Sequence, residues 1–215
     1  MHNAAFLIHP TTGADQGPRT EDLKRQPSAA ELKTVSSLGI QMSIRESNSE
    51  DLSFIRLVHE DAFGEPEGKV VAQLACDILA DESAKPLLSV VAEDGGKIVG
   101  SIIFSSVKIG CNEESLAYIL APLAVSKNYQ QQGWGTKLIN HGLEEMKRSS
   151  VDVVLVLGDP KYYTRTGFNA DHSIEPPYKL EYPEAWMALE LKPGILAKVK
   201  GFARCASSLS SPEYW

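Results

Sequence analysis

Cysteine is scarce in this 215-residue chain, and Cys76, Cys111 and Cys205 form no Cys-x-x-Cys pair. A disulfide framework or zinc ribbon is thereby excluded, and the expectation is reduced, mostly buried thiols in a cytoplasmic protein. The five histidines show no His-Glu-x-x-His or related ligand spacing, so no metal site is expected. No apolar run approaches the roughly 20 residues that a membrane-spanning helix needs. Near the N-terminus, Ala4 to Ile8 is too short for a signal-peptide core and no basic stretch precedes it. An excess of positive charge is missing too. Twenty-one Lys and Arg stand against 28 Asp and Glu, a net charge of -7, which argues against a nucleic-acid partner and leaves a cationic small substrate open. There are no internal repeats.

The length suits one domain with a well-buried core. Residues 1 to 40 differ from the rest: Pro10, Gly13, Gly17, Pro18 and Pro27 break any periodicity, and four basic residues balance four acidic ones. They read as a flexible extension with a short helix near Ser28 to Val35, and Met42 is an alternative start. From Gln41 the pattern sharpens. Met42 to Arg45 alternates as a strand, and Ser47-x-x-Glu50 reads as a capping box. Leu52, Ile55, Val58 and Ala62 then recur at helical spacing. A second helix carries Val70, Val71, Leu74, Ala75, Ile78 and Leu79 on one stripe. Two strands, Leu87 to Glu93 and Ile98 to Ile109, flank the turn Asp94-Gly95-Gly96-Lys97. Leu116 to Val125 is the next strand. Pro122 inside it cannot donate to a ladder, so the strand must bulge or open there.

Gly133 to Ser149 is an amphipathic helix with Trp134, Leu138, Ile139, Gly142, Leu143 and Met146 inward, and with Glu144 and Arg148 four apart on the outside. Val151 to Leu157 is nearly purely apolar, as for a strand covered on both faces. A short helix over 160 to 166 ends at Gly167, and Trp186 to Leu191 is a late strand. The segment 171 to 178 reads as a loop over a cleft. Residues 194 to 215 form a tail in which Ala197 to Phe202 fits one more strand. The order β-α-α-β-β-β-α-β-α-β implies a mixed sheet, with a parallel right-handed crossover between the strands at 116 and 151. The class is α/β (α+β), with about four helices flanking a central twisted sheet.

The segment with chemical content runs from Leu123 to Thr136. A strand feeds a short loop holding Gln130-x-x-Gly133-x-Gly135, and the loop opens directly into a helix. Glycines let backbone approach a ligand closely. A helix start offers unpaired N–H groups and the positive end of a dipole, a ready place for phosphate. A P-loop is excluded because Thr136 and Lys137 are in the wrong order. A dinucleotide fingerprint is excluded because its third glycine would fall on Leu138. A tight turn with helix-packing glycines remains the bland alternative.

This segment resembles motif A of the GNAT superfamily of acyl-CoA-dependent N-acyltransferases, and the order of elements over roughly 42 to 192 is similar to that fold. A second segment agrees: Leu157-Gly158-Asp159-Pro160-Lys161-Tyr162-Tyr163-Thr164-Arg165-Thr166-Gly167-Phe168 resembles the YhbS-like branch, as does Ala-Pro-Leu-Ala-Val before the loop. The resemblance implies a GNAT domain over 41 to 193 whose strands splay at the coenzyme site. It implies acetyl-CoA as acyl donor, held by Leu123, Ala124 and Val125 along the pantetheine arm. Gln130, Gln131, Gln132, Gly133, Trp134, Gly135 and Thr136 would hold the pyrophosphate. It also implies that Tyr163, four residues before Gly167-Phe168, protonates the leaving sulfur. Three departures stand out. Trp134 is bulkier than usual, Lys127 replaces a common proline, and Gly158-Asp159 replaces a common asparagine.

The expected reaction is direct attack of a neutral amine, on a small molecule or a protein, at the thioester carbonyl. A backbone N–H near Leu123 to Val125 polarises that carbonyl. Base candidates are Glu113, Glu114, Tyr118 or a water chain. Cys111 lacks a flanking base and is a poor nucleophile. A non-catalytic acyl-CoA sensor on the same fold is the alternative function, and a third is an interaction protein using residues 1 to 40. A homodimer is open because edge strands can pair.

Overall fold

The computed structural model describes residues 42–110 and 112–215, with the side chains of 112–114 outside that description. The expectations for residues 1 to 40, Cys111, Glu113 and Glu114 fall outside the described residues.

The chain runs β1 (Met42–Glu46), α1 (Leu52–Phe63), α2 (Glu67–Ala80), β2 (Leu87–Asp94), β3 (Lys97–Ile109), β4 (Asn112–Val125), α3 (Trp134–Arg148), β5 (Val153–Leu157), α4 (Pro160–Tyr163), β6 (Ser173–Glu175), β7 (Trp186–Glu190) and β8 (Lys200–Arg204). The sheet order is β1-β2-β3-β4-β5-β7, with β8 joining β3 and β6. Pairing is antiparallel from β1 to β4 and between β5 and β7, but parallel between β4 and β5. The crossover through α3 is what makes that pair parallel.

Strand alternation sends side chains into two cores. On one face Leu120 and Leu123 pack with Phe104, Trp134, Leu138, Ile139 and Tyr163 beneath α3. On the other, Ala121 and Ala124 pack with Ile55, Val58, Ile78, Ile103 and Trp186 beneath α1 and α2. At about 25 cal/mol per Å² of apolar surface buried, these two layers are the main source of stability.

Several local expectations shift. The capping box is Asn48 with Asp51, one residue later than expected: Glu50 N–H donates to Asn48 Oδ1 at 2.8 Å and Asn48 N–H to Asp51 Oδ2 at 2.8 Å. Asp51 is drawn into that place by Arg45, which it meets at 2.7 Å. Leu52 and Val70 are exposed rather than buried, because they sit at the margins of their stripes. Glu144 pairs with Lys147, and Arg148 with Glu145, each three residues apart, in place of the Glu144–Arg148 pair. Within 171 to 178, residues 173–175 form a strand, β6, parallel to β8. The tail is part of the core: Ala203, Ala206, Leu209 and Trp215 are buried, and Trp215 packs edge-on to Trp186 at 5.6 Å. Asp81 at the end of α2 receives Ser208 N–H at 2.8 Å, which fastens the tail to that helix.

Candidate functional site

The bulge expected at Pro122 is present. Ile102 pairs with Leu123 and Phe104 with Leu120, so three steps of β4 oppose two of β3. Beyond it, β4 loses its other neighbour: β5 pairs only with Ala117 to Ile119. The strands therefore part, and β4 from Leu120 to Val125 borders an opening.

Alternation shows what points into that opening. Ser126 N–H donates to Val99 O at 2.9 Å, so Ser126, and with it Ala124, faces β3. Leu123 and Val125 then turn their N–H and C=O groups the other way, toward the gap. The Val125 carbonyl confirms the phase, since it accepts from Gln130 Nε2 at 3.0 Å rather than from β3. Leu123 N–H thus points toward the gap.

The loop is braced by its side chains. Gln130 Nε2 also reaches Ala62 O at 3.5 Å, Gln132 Nε2 bonds Asn128 O at 2.8 Å, and Tyr129 Oη donates to Asp94 at 3.0 Å. Lys127 N–H donates to Asp61 at 2.9 Å. Gln130 and Gln132 therefore spend their amides on the protein, and the loop's backbone is what faces outward. Gln131 has φ +61 and Gly133 φ +82, both left-handed. Such turns gather successive N–H groups into an anion-binding concavity, and the first turn of α3, at Trp134, Gly135 and Thr136, adds amides with no carbonyl of the helix to bond. A Cβ on Gly133 would meet nothing within 4 Å, so the space before it is open.

Gly135 has a different reason to be glycine. A Cβ there would overlap the Tyr162 hydroxyl and lie 3.3 Å from Tyr162 Cζ and 3.8 Å from Leu123 Cδ2. Tyr162 is half-buried, and burial raises its phenol pKa against the opposing pull of a Thr136 hydrogen bond and the Arg165 charge. Trp134 is buried, with Lys137 Nζ 4.4 Å from its ring centroid. Asp159, where asparagine is common, caps α4 by accepting Lys161 N–H at 2.8 Å.

Tyr163 is wholly buried beside Tyr162 and Phe168, with ring centroids at 5.2 and 5.7 Å in edge-on packing. Among the described residues its hydroxyl has no hydrogen-bond partner. Burial holds its pKa well above the usual phenol value, so it stays protonated. Tyr118, a candidate base, lies on the α3 face and within the part of β4 still paired to β5, away from the opening. Burial raises its pKa as well. The spacing of motifs missed two features: the Tyr162–Gly135 contact, which has no sequence signal, and His59, a buried residue on the Ile55–Val58 stripe that the helical period does expose. No group of three or more metal-ligating side chains occurs among the described residues. No helix there is long and apolar enough to cross a membrane.

Residues 52–168 match the acetyltransferase (GNAT) family. The chain is 38% identical over 168 residues to an uncharacterized N-acetyltransferase of Escherichia coli K12, YjhQ, covering 74% of this chain and 90% of that protein. The fold is similar to the E. coli GNAT family N-acetyltransferase YhbS in complex with CoA, with TM-score 0.72, 26% identity, and 80% and 93% of the two chains covered. It is also similar to a GNAT family acetyltransferase from Brucella melitensis in complex with acetyl-CoA, with TM-score 0.64, 28% identity, and 79% and 99% covered.

Proposed function

Because the chain belongs to the acetyltransferase (GNAT) family, we propose that it moves the acetyl group of acetyl-CoA to an amine by direct attack, without an acyl-enzyme. The observation that carries this reading is the parting of β4 from β5 beyond Ile119 next to a phosphate-ready helix start. The amides of Gln131 to Thr136 would take the pyrophosphate, and the pantetheine arm would run along Leu123, Ala124 and Val125. The gap at Leu123 would hold the thioester, with Leu123 N–H donating to its carbonyl as charge builds on oxygen.

Tyr163 is the proton donor of this reading. Its unpartnered hydroxyl and its raised pKa suit a group that stays protonated until a thiolate forms beside it. The acceptor is an amine of a small molecule or protein, and the free thiols of Cys76 and Cys205 support a reducing, cytoplasmic setting.

The test is to mix the protein with acetyl-CoA and a panel of primary amines (tyramine, spermidine, lysine methyl ester) and measure free thiol. Amine-dependent thiol release supports the transfer. Tight coenzyme binding with no thiol from any amine would instead support a sensor.

A further inference from the structure

Resting on the acetyl-transfer reading above, we propose that His59 is the base that takes the proton from the attacking amine, through Nε2. On the α3 side of the sheet the opened stretch of β4 presents the large side chains of Leu120 and Leu123, clustered with Trp134 and Leu138. A nucleophile meets least bulk on the other face, where β4 beyond Ile119 presents the small side chains of Ala121 and Ala124. The helix lying over that face is α1, and His59 is its one buried titratable residue.

The height of His59 along the sheet follows from the loop brace. Gln130 Nε2 touches both Val125 O and Ala62 O, which sets the last turn of α1 beside the end of β4. His59 is three residues earlier, about 4.5 Å along the helix axis. One to two strand residues at about 3.3 Å each cover that distance. His59 is therefore level with Leu123 and Ala124, the stretch that presents the carbonyl-binding N–H.

Its protonation pattern is defined. Nδ1 lies 2.8 Å from Ile55 O, and a carbonyl only accepts, so Nδ1 carries the hydrogen and Nε2 the lone pair. Nε2 is buried with no partner among the described residues. A histidine buried for packing alone ordinarily has both nitrogens satisfied, because an orphan buried acceptor is costly. The floor beneath α1 repeats the pattern. Ser89, Ser101 and Ser105 are buried hydroxyls without partners, and they share a sheet face with Ile103 and Ala124. Polar atoms unpaired on one buried face are the lining of a place that takes a polar guest, here the amine and a water.

The step balances. The nitrogen lone pair forms the C–N bond as the C–S bond breaks. The amine's proton passes to Nε2, and the sulfur takes the Tyr163 proton, giving amide and thiol. Solvent returns His59 to the neutral form and Tyr163 to the phenol.

The experiment uses the full chain carrying His59→Gln or His59→Leu, assayed with the panel amine that releases most thiol and with hydroxylamine, whose weakly basic nitrogen becomes acidic enough on attack to lose its proton to water. The expected result is a loss of about 10²- to 10⁴-fold with the alkylamine, little loss with hydroxylamine, and unchanged coenzyme affinity. Free imidazole should restore alkylamine turnover to His59→Ala. Equal losses with both amines, or no loss, would overturn the assignment. If the variants fail to fold, ¹⁵N NMR of the wild type decides: the His59 Nε2 resonance moves when the alkylamine joins the CoA complex, and a fixed resonance refutes the proposal. A wild type that releases no thiol removes the transfer reading itself, whereas an active wild type with equally active variants removes His59 alone.

Discussion

The hydroxyl of Tyr162 occupies the place where a side chain at Gly135 would begin. The two residues belong to different helices, α4 and α3, and this contact joins the start of α3 to the helix that carries Tyr163. Gly135→Ala should therefore destabilise by overpacking, about 1–3 kcal/mol, and weaken coenzyme binding by displacing Tyr162. Removing the ring in Gly135→Ala/Tyr162→Ala should recover part of the loss at Gly135. A thermal melt and CoA titration of the four proteins check this, and strictly additive losses would show that the contact is incidental.

Gly133 separates ligand binding from packing. Its Cβ direction is empty, so Gly133→Asp adds a carboxylate in the space before α3 at a strain of about 1–2 kcal/mol from the left-handed backbone. Coenzyme affinity should fall more than tenfold through charge repulsion at the helix start, with the melting temperature only slightly lower. Calorimetric titration with CoA reads it directly. Unchanged affinity would move the pyrophosphate elsewhere.

Tyr163→Phe removes a hydroxyl without changing the ring packing. Turnover should drop about 10²-fold, with CoA affinity kept. Stability should hold or rise, because the lost hydroxyl is buried and unpaired. A variant with full turnover would exclude Tyr163 from the proton transfer.

Burial holds the His59 imidazole down to about 4, from an ordinary 6.5. The unfolded chain thus binds this proton first as pH falls. The stability gained by keeping His59 neutral is whole above 6.5 and is lost on the way down to 4, about 3 kcal/mol in all. Burial also lowers the pKa of His172, so it acts in the same direction. Urea unfolding of wild type and His59→Leu at pH 7 and 4.5 isolates the His59 part: the wild type should lose more stability than the variant between the two.

Much of this architecture was readable before any coordinates. The stripes of α2 and α3, the hairpin at Gly95-Gly96 and the bulge at Pro122 follow from local rules, since periodicity and a missing N–H act within a few residues. What resisted reading came from long-range partners. Asn48 rather than Ser47 caps the first helical turn because Arg45 on β1 holds Asp51. β6 is a strand because β8, some 27 residues later, lies beside it. The tail looked ambiguous alone, and only Trp186 and Asp81 give it a place. In the site, the glycine-bearing turn into α3 is legible from its spacing. That Gln130 braces it and that Gly135 makes room for Tyr162 depend on contacts no spacing encodes.

The bulge at Pro122 has a further effect. An extra residue advances the strand's alternation by half a period, so 120 and 123 address one side of the sheet while 121 and 124 address the other. The two cores are thereby lined by interleaved but independent positions of a single strand. Selection, or an engineer, can enlarge Ala121 on the α1 side while Leu120 and Leu123 keep the α3 side unchanged. Straightening the bulge with every residue kept would exchange the two sets at a stroke.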